Sequence, residues 1–491
     1  MIIERKTNGA QSKRAVRATI WAGVNTLIPM VTSFGVLVIT SRMLRPADFG
    51  VVALASGLAW IGSCLCPSGF GEAIVQRLEL TSKHLDSVFW LCMACGCIVY
   101  GLEYGFAGYA ANFFKIKIIA ALIPVVSLKL ISDMAAVVPN ALIARSMSFY
   151  LFAARSLIAS ILAALITIGL LVEGFGLWAL VATQLITSFV NLIAGYLSAG
   201  WRPRFTFSFT ALKEIASYGA YSSATINVSS LVTQNEQILV GYFLGTAQLG
   251  LYNFSKRAIA VLNSVFSGPL GSVAHPMFSG MQNEKERIKR GFLSATFVSS
   301  VISFPVFAGL ALTSDRIVPL VFGNHWQSAV VFVQIQCALG LLVCIGSLQA
   351  GLINSQGKAN WWFYYQLFAN VTTIIVIAYF ARFGVEKMMI ALVIRAYAGW
   401  FIPVRMTLTL LSIPALEYFL NFRAPIFGLI FMVLAIFLER HVVGGIGIGP
   451  GLALDILSGA IAYVIAIFLC DRARVLFTLS LFVPKQKSSG Q

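Results

Sequence analysis

The chain has 491 residues, of which 58% are hydrophobic and only 11% charged. Soluble domains average about 45–50% apolar and about 25% charged residues, so ordinary globular domains are excluded, as is disorder, which needs low hydrophobicity. Thirty-five Lys and Arg against 18 Asp and Glu give a net charge of +17; in a chain this apolar the excess belongs at helix ends, against anionic headgroups, and not on nucleic acid.

A membrane-crossing helix needs about 20 mostly apolar residues. Fourteen stretches qualify, roughly 16–40, 49–70, 86–107, 116–140, 150–172, 175–199, 214–243, 248–278, 292–314, 328–354, 361–381, 387–411, 424–439 and 452–470. The first is too long for the apolar region of a cleavable signal peptide and is expected to remain as a helix. With the N-terminus inside, 21 Lys and Arg fall on the cytoplasmic side and eight on the other. That asymmetry predicts a multi-pass topology with both termini cytoplasmic. The loops are too short to hold a soluble domain.

Sliding the chain by 200 residues lays Arg42–Gly50 on Tyr242–Gly250, with Leu44/Leu244, Ala47/Ala247 and Gly50/Gly250 identical. Each copy joins an odd-numbered stretch to the next. The expected fold is therefore all-α and integral to the membrane, with two homologous six-helix bundles around a central cavity and two additional helices, an organisation typical of alternating-access transporters. The expected boundaries are a cytoplasmic tail at 1–14, bundles at 15–200 and 214–411 joined by a linker at 201–213, the extra helices at 412–470 and a basic tail at 471–491.

The polar residues inside these stretches carry the functional information. In the seventh, Ser222, Ser223, Thr225, Asn227, Ser229, Ser230, Thr233, Gln234, Glu236 and Gln237 share about 200° of helical arc at 100° per residue. A face so wide and polar suits a water-filled cavity; burial against neighbouring helices through hydrogen bonds is the alternative. The eighth continues with Asn253, Arg257, Ala260, Ser264, Ser267 and Gly271 in one stripe, and Gly268-Pro269 and His275-Pro276 are expected to bend it. Lys129 and Asp133, four apart, are placed to neutralise one another. Arg145, Arg155, Arg395 and Arg405 have no acidic residue three or four positions away; each either snorkels to headgroups or faces a cavity. Lys129, Arg155, Lys256, Arg257, Arg395 and Arg405 outnumber Glu103, Asp133 and Glu236, and a basic cavity favours an anionic, phosphate-bearing ligand.

Nothing in the pattern supports catalysis. The four histidines are scattered, Cys92-Met-Ala-Cys95 has no second cysteine pair at ligand spacing, and the eight cysteines read as small buried hydrophobes. Gly444 to Gly449 lacks the lysine of a phosphate-binding loop and reads as an interhelical loop. Neither a metal nor a cofactor is expected.

Four segments carry a resemblance. Ser41-Arg-Met-Leu-Arg-Pro-Ala-Asp-Phe-Gly50, Gly69-Phe-Gly-Glu-Ala-Ile-Val-Gln76, Asn235-Glu-Gln-Ile-Leu-Val-Gly-Tyr-Phe-Leu-Gly245 with Leu249-Gly-Leu-Tyr252, and Val321-Phe-Gly-Asn-His-Trp326 resemble the polysaccharide transporter family of the multidrug/oligosaccharidyl-lipid/polysaccharide (MOP) flippase superfamily, whose fold includes the MATE transporters. The likeness spans about residues 15–415 and is nearest to exopolysaccharide exporters of the succinoglycan and colanic-acid type. Glu236 stands where the family often has Asp, and Tyr242 where it often has Arg.

The resemblance implies a flippase that moves a polyprenyl-diphosphate-linked oligosaccharide from the cytoplasmic to the periplasmic leaflet for polysaccharide biosynthesis. On that reading Arg145 and Arg155 attract the headgroup, Lys256 and Arg257 hold it further out, Arg395 adds to the basic cavity, and Asn227, Gln234 and Gln237 contact sugar. Glu236 or Asp133 binds a coupling cation. Membrane lipids are partners, and a polysaccharide polymerase and a chain-length regulator are left open. The competing readings are a multidrug or cation antiporter of the same superfamily, which predicts surplus carboxylates, and a membrane polymerase or ligase, which predicts a sizeable external loop.

Overall fold

The computed structural model describes residues 30–146, 149–281, 284–443, 447–472 and 474, and they are almost wholly helical. In chain order the helices are α1 Met30–Met43, α2 Pro46–Ser63, α3 Phe70–Gln76, α4 Ser82–Phe114, α5 Ile119–Ala135, α6 Val137–Arg145, α7 Phe149–Val172, α8 Trp178–Ala199, α9 Phe209–Ser279, α10 Lys285–Phe322, α11 Val330–Ser355, α12 Ala359–Phe380, α13 Val385–Leu411, α14 Ala415–Leu420, α15 Arg423–Val442 and α16 Ile448–Cys470. Among the described residues ten helical segments are long and apolar enough to cross a membrane, and eleven if α5 and α6, bent by 41°, form one span. The chain is a multi-pass membrane protein. The count of fourteen is not established: residues 16–29 of the first stretch lie outside the described residues, and α9 carries the seventh and eighth in one polar run that is not among the ten.

Packing divides the chain between Asn253 and Phe254 into two compact units. In the first, α4 pairs with α5 and α7 with α8, while α2 and α8 both lie against α5. Its apolar centre gathers Phe70, Ile74, Val88, Phe89, Cys92, Leu130 and Val138. The segment after α8 is docked on the first turns of α4: the Arg204 N–H and the Thr206 hydroxyl donate to Asp86 at 3.2 and 2.6 Å, and the Ser208 N–H donates to Ser87 Oγ at 2.9 Å.

The stretch 209–244 of α9 runs antiparallel along α3 and α2, and glycines set how closely. A Cβ at Gly219 would lie 2.8 Å from the Phe70 ring, one at Gly69 2.1 Å from the Ser223 backbone nitrogen, and one at Gly241 2.9 Å from Leu54. The helical dihedrals of α9 break at Gly245, with φ 78° and ψ 174°, a conformation that glycine reaches without Cβ strain. In the 200-residue register this position matches Arg45, the extended residue that caps α2.

The two copies of the repeat meet in space. A Cβ on Gly50 would lie 1.7 Å from the Thr246 carbonyl oxygen, and one on Gly250 1.7 Å from that of Pro46. Residues 46 and 246, and 50 and 250, are equivalents in the register, so the contact is reciprocal, as around a local two-fold axis.

In the second unit α10, α11 and α13 surround a core of Phe292, Phe304, Ile345, Leu348, Leu352 and Tyr418. Trp326 is fully buried and stacks on Phe254 with ring centroids 4.1 Å apart. Gly323, at φ 96°, ends α10 and turns the chain so that this tryptophan points inward. The two additional helices, α15 and α16, are pinned to α10 by ion pairs. Asp455, without exposed side-chain surface, accepts from Arg440 at 2.7 Å and forms an ion pair with Arg316 at 3.0 Å, and Arg440 also holds Asp315 at 3.0 Å. Gly451 leaves the space that the Arg316 guanidinium fills. Gly444, Gly445 and Ile446 of the glycine-rich loop lie outside the described residues.

Candidate functional site

A cavity of about 730 Å³ opens between α5, α6, α7 and α8, with Lys129, Asp133, Asn140, Arg155, Thr187 and Asn191 among its lining. Thr183, Thr187 and Asn191 recur every four residues on α8, so one helical face lines it with hydroxyls and an amide. Arg155 NH1 donates to Asn140 Oδ1 at 2.6 Å, and the guanidinium lies 4.2 Å above the Phe152 ring. Both contacts hold the group flat against α6 and α7. Gly195 on α8 faces the same group: a Cβ there would meet Arg155 at an ordinary contact distance of 3.5 Å.

Lys129 and Asp133 form the expected i,i+4 pair at 3.7 Å, yet both side chains stay nearly half exposed and line the cavity. Ser188 donates to Asp133 at 2.5 Å and bonds Ser132 at 2.7 Å. With one carboxylate against an ammonium and a guanidinium, the lining carries a net positive charge surrounded by hydrogen-bonding groups. Such a surface can take phosphate oxygens on Arg155 and Lys129 and hydroxyls on the amide and hydroxyl wall.

The other expected residues are placed elsewhere. The Arg145 guanidinium donates to the carbonyls of Ile74 at 3.0 Å, Leu78 at 2.8 Å and Arg77, capping the C-terminal end of α3. Arg395 bonds Thr372 Oγ1 at 3.0 Å and the Ala369 carbonyl, tying α13 to α12. Lys256 is half-buried, and Arg257 and Arg405 are exposed on their helices. Glu236 accepts from the Tyr252 hydroxyl at 3.0 Å.

The polar face of α9 is in part a packed face. Asn227 Nδ2 donates to the Cys64 carbonyl at 2.7 Å, the Gly69 N–H donates to Ser223 Oγ at 2.9 Å, and the Ser222 hydroxyl donates to Glu72. Gln237 lies beside Gly57 of α2, and Gln234 is half-buried. The reason is the interruption between α2 and α3: the backbone groups freed there need partners inside the membrane, and α9 supplies them. The side chains of Ser229, Ser230, Thr233, Ser267, Gly271, Pro269, His275 and Pro276 lie outside the described residues, so the stripe of the eighth stretch is described only in part.

The sequence reading missed Asn140, Thr183, Gln184, Thr187, Ser188 and Asn191. The recurrence of polar residues every three or four positions from Thr183 to Asn191 was the available signal, obscured by the high apolar content of α8.

The chain as a whole is similar to known proteins. The sequence profile of the polysaccharide biosynthesis protein family matches residues 39–331. The succinoglycan biosynthesis transport protein ExoT of Rhizobium meliloti is 24% identical over 481 residues, covering 95% of each chain. The lipopolysaccharide biosynthesis protein WzxC of Escherichia coli is 23% identical over 367 residues, 72% of this chain and 73% of its own. Among solved structures, the lipid II flippase MurJ in an inward closed conformation aligns with a TM-score of 0.75 at 13% identity, over 94% of this chain and 100% of that one. An inward-facing multidrug resistance MATE family transporter of the MOP superfamily aligns at 0.54 and 18% identity, over 80% and 95%. At these identities both structures speak to the fold.

Proposed function

Because the chain belongs to the polysaccharide biosynthesis protein family, we propose that it is a bacterial inner-membrane flippase, not an enzyme, that carries a polyprenyl-diphosphate-linked oligosaccharide from the cytoplasmic to the periplasmic leaflet by alternating access. The observation that carries this reading is the cavity, in which Arg155 and Lys129 stand beside a wall of hydroxyl and amide groups. The diphosphate meets the guanidinium and the ammonium, and sugar hydroxyls exchange hydrogen bonds with Asn140, Thr187 and Asn191. Cationic side chains inside a membrane protein are expensive and mark ligand pathways, and Arg155 has an amide and an aromatic face as neighbours rather than a carboxylate. The relatives named for polysaccharide transport and biosynthesis support the same substrate class.

The cavity's sign disfavours cation antiport, which calls for surplus carboxylate. Lys256, Arg257, Arg395 and Arg145 are secondary contributors in this proposal, the last two through the helices they tie together.

The test is a deletion strain. Complete lipid-linked repeat units are expected to accumulate while surface polysaccharide falls, with the accumulated lipid facing the cytoplasm by leaflet-specific labelling. Continued export with no lipid-linked sugar retained would overturn the proposal.

A further inference from the structure

Glu103 of α4 is buried, at 7% exposure, and neither of its carboxylate oxygens has a hydrogen-bond partner among the described residues. The two acidic side chains considered for cation binding, Asp133 and Glu236, differ. Asp133 has Lys129 and Ser188, and Glu236 has Tyr252. The space that Glu103 occupies is created by Gly62 in the last turn of α2: a Cβ there would lie 2.0 Å from Oε1. From α5 the buried Ser127 hydroxyl faces the carboxyl, and the Gly62 N–H is the other polar group turned toward it, neither in strict hydrogen-bond geometry. The titratable neighbour on the segment after α2 is Cys66. No charged side chain of α2, α3, α5 or α6 acts on the group.

A carboxylate shut away with no counter-charge is held only if something neutralises it. Hard cations take several oxygen ligands, whereas this pocket offers one carboxyl and one hydroxyl, with no set of three metal-ligating side chains among the described residues. A proton needs no coordination shell, and the protonated carboxyl fits the pocket as it stands. We propose that Glu103 is a proton-binding site of the transport cycle: closed against Gly62 it holds a proton, and it releases that proton when α2 and α4 part and water enters. The site adjoins the interruption between α2 and α3, where the spanning path already lacks continuous helix, so a small movement there suffices to wet the carboxyl. This inference rests on the transporter reading above.

The experiment uses the purified full chain in phosphatidylethanolamine/phosphatidylglycerol vesicles and N,N′-dicyclohexylcarbodiimide, an apolar reagent that modifies protonated carboxyls from within the bilayer. Peptide mapping is expected to find the adduct on Glu103, with labelling that declines as pH rises and does not respond to sodium. Absence of label on Glu103 from acid to neutral pH, or protection by sodium instead of by alkali, overturns the proposal. Glu103→Gln, which mimics the protonated acid in shape and charge, is expected to melt at the wild-type temperature while export falls at least tenfold. Unchanged export in that variant, in a strain whose deletion does accumulate lipid-linked repeats, overturns the role of Glu103 and leaves the flippase reading standing. A deletion with no lipid phenotype removes the flippase reading, while labelling of Glu103 is scored independently.

Discussion

Arg155 is set apart from the other basic residues by what its guanidinium touches: one amide oxygen and one aromatic face, at the edge of a cavity wide enough for a headgroup. A charge-assisted hydrogen bond is worth about 1.5–3 kcal/mol, so Arg155→Ala is expected to weaken substrate engagement roughly tenfold to a hundredfold, read as reduced export and accumulated lipid-linked sugar at normal protein level. Arg155→Lys keeps the charge but loses the planar fork and should recover only part of that loss. At Arg145 the expectation is of another kind. Its donors cap α3, so Arg145→Ala should lower thermal stability by about 1–3 kcal/mol, measured by melting in detergent. In the sequence these two arginines share one signature, a lone charge with no acidic residue a turn away. Nothing local distinguishes them because the deciding acceptors come from elsewhere: the Asn140 side chain from another helix, and the Ile74 and Leu78 carbonyls from a helix end about 70 residues distant.

Among the elements, the paired glycine contact and the ion-paired clamp make separate predictions. Gly50→Ala or Gly250→Ala each places a methyl against a backbone carbonyl, and overpacking of this kind costs about 1–3 kcal/mol. Because both substitutions break one contact, the double variant should lose clearly less than the sum of the singles, which a double-mutant cycle of melting measures. Asp455→Asn removes the buried carboxylate that Arg316 and Arg440 share, leaving Arg440 only its bond to Asp315; losing one partner of a buried pair costs about 3–5 kcal/mol. The expected result is early thermal unfolding, with α15 and α16 becoming the first sites of proteolysis. The likeness of 42–50 to 242–250 was legible in the chain, but the reciprocal contact between the two segments was not, since identity at three positions says nothing of which faces meet. Likewise the polar arc of the seventh stretch was legible, whereas the share of it consumed by the α2–α3 interruption depended on where α2 stops, which Pro67-Ser68-Gly69 signals inside a stretch otherwise apolar enough to read as one span.

For the whole molecule, hydropathy carried most of the helical architecture. Apolar stretches found the helices because a spanning segment must satisfy its own backbone, and the Lys/Arg asymmetry sets an orientation that a reporter fused to the C-terminal end tests directly. Fluorescence of a cytoplasm-dependent reporter there is expected, and activity of a periplasm-dependent one would reverse the topology. The family segments now have structural tasks: Gly69 and Phe70 seat α9, Gly50 and Gly250 meet, Tyr252 bonds Glu236, and Trp326 fills a core.

The join between α2 and α9 carries one more consequence. It is held by a backbone carbonyl on Asn227, a backbone N–H on Ser223 and a carboxylate on Ser222, all of which must be bonded again once separated. Acyl chains offer no such bonds, whereas water and sugar hydroxyls do. In the transport cycle proposed above, parting of this join would therefore be selective by wetting, resisting lipid tails while yielding at little net cost to a hydrated, hydroxyl-rich cargo.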